Sequence, residues 1–88
     1  MATTLLTIGP VHTLTQDAIY ALPARACRMQ LTGAATGLDI ALDVAMTGPI
    51  QYADEDWETA GAYETGIPVQ GGFVRATGGA ANVVLAAV

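Results

Sequence analysis

Leu38, Ile40, Leu42, Val44 and Met46 fall on every second position of one run, with Asp39, Ala41, Asp43, Ala45 and Thr47 between them. In an extended chain successive side chains point to opposite faces, so this spacing makes one apolar face and one polar or small one. Wound as a helix, the same residues would scatter leucine and aspartate around the cylinder with no apolar stripe. The run therefore predicts a long strand over residues 38–47, in a sheet with one buried face.

Other segments have the same character. Cys27, Met29 and Leu31 alternate with Arg28, Gln30 and Thr32, and the small residues 33–37 lead from them into the long run. This predicts a β-hairpin joining 26–32 to 38–47. A second hairpin is predicted from 73–77, the turn Gly78-Gly79-Ala80-Ala81, and 82–88. Residues 3–8 suit a first strand or an extended N-terminal arm covering 1–9, Gly9-Pro10 interrupts, and 11–15 forms another short strand. Gly48-Pro49 ends the long run, and 50–53 reads as a short strand. Residues 54–58 form an acidic loop, and 59–68 are irregular or an edge strand. The alanine-rich stretch 16–26 admits a helical turn. No repeat or linker divides the chain. The expectation is one all-β domain over 1–88, a small antiparallel β-sandwich or barrel. Its predicted core is Leu38, Ile40, Leu42, Val44, Met29, Leu31, Phe73 and Leu85.

Composition limits what such a domain can do. The 88 residues contain about 25 large apolar side chains, against 10 glycines and still more alanines. A chain this short buries only about 60–65% of its unfolded surface, and a lone cysteine, Cys27, permits no internal disulfide. Oligomerisation is a common remedy for so thin a core. The net charge of −5, from eight acids and three arginines without lysine, opposes binding to nucleic acid. No apolar run approaches the roughly 18 residues of a membrane span, and the N-terminus lacks a signal-peptide pattern. The sequence predicts neither a nucleic-acid nor a membrane partner, and synthesis in a cytoplasm.

The side chains of catalysis are scarce. There is no serine or lysine, and there is one histidine, which leaves Cys27 and His12 as the single conventional dyad. Cys27 shares a strand face with Met29 and Leu31 and reads as an inert buried thiol. His12 reads as an ordinary strand residue. Asp39 and Asp43, four apart on one face, would have α-carbons about 13 Å apart, beyond the roughly 5–9.5 Å of glycosidase carboxylates. Asp54, Asp56 and Glu58 match the first oxygen positions of a calcium loop. The required glycine is Thr59, however, and the twelfth position is Thr65, so this is no EF-hand. A looser divalent site shared between subunits is the minor alternative; no metal ligand or cofactor is assigned. Trp57 can serve as an exposed anchor for a partner or sugar, or fold back to plug the sandwich. The glycine pairs 71–72 and 78–79 are turn residues, not a phosphate cradle. The expectation is a protein that is not an enzyme.

Residues 7–14 (Thr-Ile-Gly-Pro-Val-His-Thr-Leu), 20–26 (Tyr-Ala-Leu-Pro-Ala-Arg-Ala) and 72–79 (Gly-Phe-Val-Arg-Ala-Thr-Gly-Gly), with Val83-Val84-Leu85, carry a resemblance. They resemble short virion structural proteins of tailed bacteriophages, the small β-sandwich proteins that decorate or cement capsids. The resemblance covers the two ends of the chain better than its middle. It implies a non-enzymatic role in the virion, binding and stabilising the assembled lattice of major capsid protein, commonly as a homotrimer on the outer surface. Tail, neck or head-fibre components share such sequences. A carbohydrate-binding, adhesin-like module using Tyr52, Trp57 and Tyr63 is the alternative from another class. The candidate partner contacts are Leu5, Leu6 and Ile8 in the N-terminal segment, and Tyr52, Trp57 and Tyr63 in the middle.

Overall fold

The computed structural model describes residues 3–53 and 66–88. Within them the strands are β1 (Thr4–Leu5), β2 (Val11–Leu14), β3 (Ile19–Ala21), β4 (Cys27–Gly33), β5 (Gly37–Ala41), β6 (Ile50–Ala53), β7 (Ile67–Val69), β8 (Phe73–Thr77) and β9 (Ala81–Ala87). One sheet has the order β1-β3-β8-β5-β6 and the other β2-β9-β4-β7. Pairing is antiparallel throughout, except between β1 and β3 and at an isolated parallel bridge from Ile8 to Leu85. The domain is all-β, and its two sheets stack as a small sandwich. The helical turn admitted for 16–26 does not form: that stretch holds a turn and β3.

Period-two alternation explains the core. Cys27, Met29 and Leu31 of β4 point inward beside Ala81, Val83 and Leu85 of β9 and Ile67 and Val69 of β7, all buried. From the facing sheet come Leu38 of β5 and Val74 and Ala76 of β8. Leu6, Leu14, Leu22 and Ala35 complete the cluster, and each buried leucine contributes about 1.5–3 kcal/mol. Phe73 corrects the predicted core. It lies on the outer face of its sheet, aligned with Ala21 and Ala41, and is only half-buried.

Both predicted hairpins are corrected as well. β4 and β5 belong to different sheets, and so do β8 and β9. Each loop arches across the sandwich instead of folding back within a sheet. The two arches lie side by side because β4 pairs with β9 while β5 pairs with β8. Ala34 and Ala35 N–H both donate to the Ala80 carbonyl, at 3.1 and 3.0 Å, and Thr36 N–H donates to the Thr77 carbonyl at 3.0 Å. Small residues are required there. Gly79 has φ +150°, and a Cβ on it would stand 2.8 Å from the Ala34 oxygen. Alternation specifies which face of a strand is buried, and it reads the same for a hairpin and for an arch.

The N-terminal segment is held within its own sandwich rather than extended as an arm. β1 pairs with β3, Leu6 N–H donates to the Ala21 carbonyl at 2.9 Å, and Gly9 N–H donates to the Leu85 carbonyl at 3.0 Å. Residues 4–8 thus begin on one sheet and cross to the other.

Candidate functional site

The long alternating run is strand only as far as Ala41. Its ladder partner decides this. Ahead of β8, Gly71 and Gly72 have φ of +68° and +81°, and a Cβ on Gly72 would stand 2.6 Å from the Ala41 oxygen. The Gly72 carbonyl accepts Leu22 N–H at 2.9 Å, and Gly71 N–H donates to the Pro23 carbonyl at 2.7 Å. The chain before β8 thus keeps its bonds to the β3 side, at 22–23, and β5 has no ladder on that side past the Ala41–Phe73 pair.

Asp43 closes the loop that follows. Its carbonyl accepts Met46 N–H at 3.0 Å, and its Oδ1 accepts Thr47 N–H at 2.8 Å, a local bond that competes with a sheet ladder. Met46 takes a left-handed φ of +57° and tucks its side chain in, 5% exposed. Leu42 and Val44, predicted as core, are instead 90% and 52% exposed, and Ile50 at the start of β6 is 62% exposed. Beside them is an open groove of about 390 Å³ between Ile40, Ala41, Leu42, Asp43, Thr47 and Ile50. The Thr47 backbone N–H and then its hydroxyl, both donating to Asp43, hold that carboxyl below its ordinary value of 3.8. The result is an apolar prominence on an internally bonded loop, with its one carboxylate already engaged.

The predicted contact residues separate in the fold. Leu5 is 56% exposed on edge strand β1. Leu6 is 1% exposed and packs in the core of its own sandwich. Ile8 and Tyr52 are partly buried and pack against the core. Trp57 and Tyr63, with the acidic stretch 54–58, lie outside the described residues. Sequence reasoning missed the prominence at Leu42, Val44 and Ile50 because it placed Leu42 and Val44 inside a strand. The available signal was Asp43, with Thr47-Gly48-Pro49 just beyond it, a combination suited to a closed turn.

Three further polar groups singled out by the sequence have partners within the chain. Asp39 and Arg75 sit opposite each other on β5 and β8, with Arg75 Nη2 2.7 Å and Nε 3.3 Å from Asp39 Oδ2. Asp39 is 6% exposed, not on a solvated face. Cys27 is buried, its Sγ donating to the Arg25 carbonyl at 3.1 Å. His12 Nε2 accepts Thr7 N–H at 3.1 Å. Strand β9 runs between the strands of Cys27 and His12, which align with Ala87 and Val83 respectively, so the two do not form a dyad. Among the described residues no three His, Cys, Asp or Glu side chains gather around a possible metal site. No protein-family model matches the chain, and comparison with curated proteins and with solved structures likewise gave no match.

Proposed function

We propose that this protein acts by binding, as a tailed-phage virion structural protein that decorates the assembled head and stabilises its lattice. The observation that carries the reading is the prominence at 42–50. A domain of 88 residues with few large apolar side chains leaves Leu42, Val44 and Ile50 in water on a loop closed by Asp43. Exposed apolar groups on a pre-ordered support suit a docking surface, because little ordering entropy opposes association. The resemblance at the two ends of the chain supports the same reading, as does the scarcity of nucleophiles and bases in the sequence. A ligand that binds only the assembled lattice stabilises it by mass action, and a homotrimer bridging neighbouring capsomers adds avidity.

The test adds purified protein to capsids made without it. The expected result is saturable occupancy and a higher disruption temperature, with occupancy reduced at least tenfold by Leu42→Asp with Val44→Asp. Protein that leaves intact capsids bare overturns the assignment. So does full occupancy by the double variant, as far as the prominence is concerned.

A further inference from the structure

We infer that the N-terminal segment 3–8 exchanges between copies of this chain, so that Leu6 of one copy fills the core socket of another. This is independent of the virion assignment, since exchange can occur on or off a capsid. Three features of the segment converge on it. First, its ties are few and all lie within residues 4–9: β1 pairs with β3 over Thr4–Tyr20 and Leu5–Ala21, Leu6 N–H donates to the Ala21 carbonyl, Thr7 N–H donates to His12, and Ile8 and Gly9 meet Leu85. Second, its single deep anchor is Leu6, 1% exposed between exposed Leu5 and Thr7. The socket for Leu6 is formed by the rest of the sandwich and would accept the same side chain from a second copy with the same contacts. Third, the segment ends at a hinge. It runs parallel to β9 at Ile8, and the chain after Gly9-Pro10 runs antiparallel to β9 from Val11. The chain therefore changes its sense within two residues.

The hinge conformation sets whether these same bonds form within one molecule or between two. Gly9 has φ +114°, a value that side-chain-bearing residues rarely adopt. A residue preceding proline favours the extended region. An extended Gly9-Pro10 directs residues 3–8 away from their own body and toward a neighbour. Exchange of an identical element is a low-cost route to oligomers, because the closed and exchanged forms share their contacts except at the hinge. The His12–Thr7 bond and the Gly9–Leu85 bond can re-form between chains in the same geometry.

Gly9 also supplies a specific test. A Cβ added there meets nothing within 4 Å, so Gly9→Ala strains the closed hinge by torsion alone, without a clash. Size exclusion with light scattering should show a several-fold larger oligomer fraction for Gly9→Ala than for the native chain at equal concentration. A Gly9→Ala chain that is less stable yet no more oligomeric overturns the inference. A second measurement does not depend on that variant. Leu5→Cys with Ala21→Cys places one thiol on each side of the β1–β3 pair, and a mixture of light and isotopically heavy chains is oxidised at high concentration. Mixed-mass disulfide dimers through positions 5 and 21 are expected. A 5–21 bond formed only within single chains overturns exchange. If those chains are nevertheless oligomeric, oligomer formation stands by another route, and capsid binding is decided separately by its own assay.

Discussion

The runs Cys27–Leu31 and Leu38–Met46 carry the same period, yet they end in opposite environments. In the first, every second side chain is buried, and the strand is flanked on both sides by β9 and β7. In the second, Leu38 is fully buried, whereas Leu42 is 90% exposed. The difference lies in the neighbours. β9 runs the full length of β4, from Cys27–Ala87 to Gly33–Ala81, whereas β8 begins only at Phe73, after two glycines of positive φ, and its ladder with β5 stops at Ala41. Alternation marks a segment as able to be a strand; a paired neighbour and a facing layer are needed to make it one.

Truncating a leucine in each half of the second run gives the widest separation. Leu38→Ala should reduce stability by about 2–5 kcal/mol, and Leu42→Ala by less than about 0.5 kcal/mol, measured by urea denaturation. Equal losses would place Leu42 in the core and remove the contrast. At the point where β5 loses its partner, Gly72→Ala tests the turn itself. With φ +81° and the Ala41 oxygen 2.6 Å from the new Cβ, about 1–3 kcal/mol should be lost. A neutral effect would mean that the turn at 71–72 does not limit the strand.

The cross-strand pair sharpens the comparison on the outer face of the first sheet. Arg75→Ala leaves the Asp39 carboxylate, whose side chain is 9% exposed, without its partner, while Asp39→Ala leaves a guanidinium that is 30% exposed. The arginine change should therefore be the more damaging of the two, by about 1–3 kcal/mol, since a buried unpaired charge is costly while an exposed one is hydrated. Identical losses for the two would show that neither group depends on the pair for burial.

The smallest expected effect belongs to Asp43. Its carboxyl is lowered by the bonds from Thr47, so its folded value lies below its unfolded one. The stabilisation is fully present above the unfolded value near 3.8, and it is lost as pH falls through the lower folded value. The Thr47 amide resonance should report this acid titration. Asp43→Asn should abolish the titration while the side-chain carbonyl keeps accepting the Thr47 N–H. A Thr47 resonance that stays constant through the acid range would show the loop to be closed without that carboxylate.

By itself the sequence determined the all-β class, the inward face of β4, the burial of Leu85, and the positions of β2, β6, β8 and β9 to within a residue or two. These depend on local periodicity and on turn residues, which a single strand carries within itself. It also marked Cys27 as a buried thiol. Tertiary structure alone decided that 33–37 and 78–80 are arches, since the period of a strand does not say whether the next strand lies beside it or across from it. It decided, too, that Leu6 is a core residue and Leu5 a surface one. The candidate site depended on it most. Leu42, Val44 and Ile50 became a prominence because the β5–β8 ladder stops at Ala41–Phe73, ahead of Gly72, and Asp43 captures the Thr47 amide. The first event lies about thirty residues along the chain from the run it cuts short, beyond the reach of any local pattern.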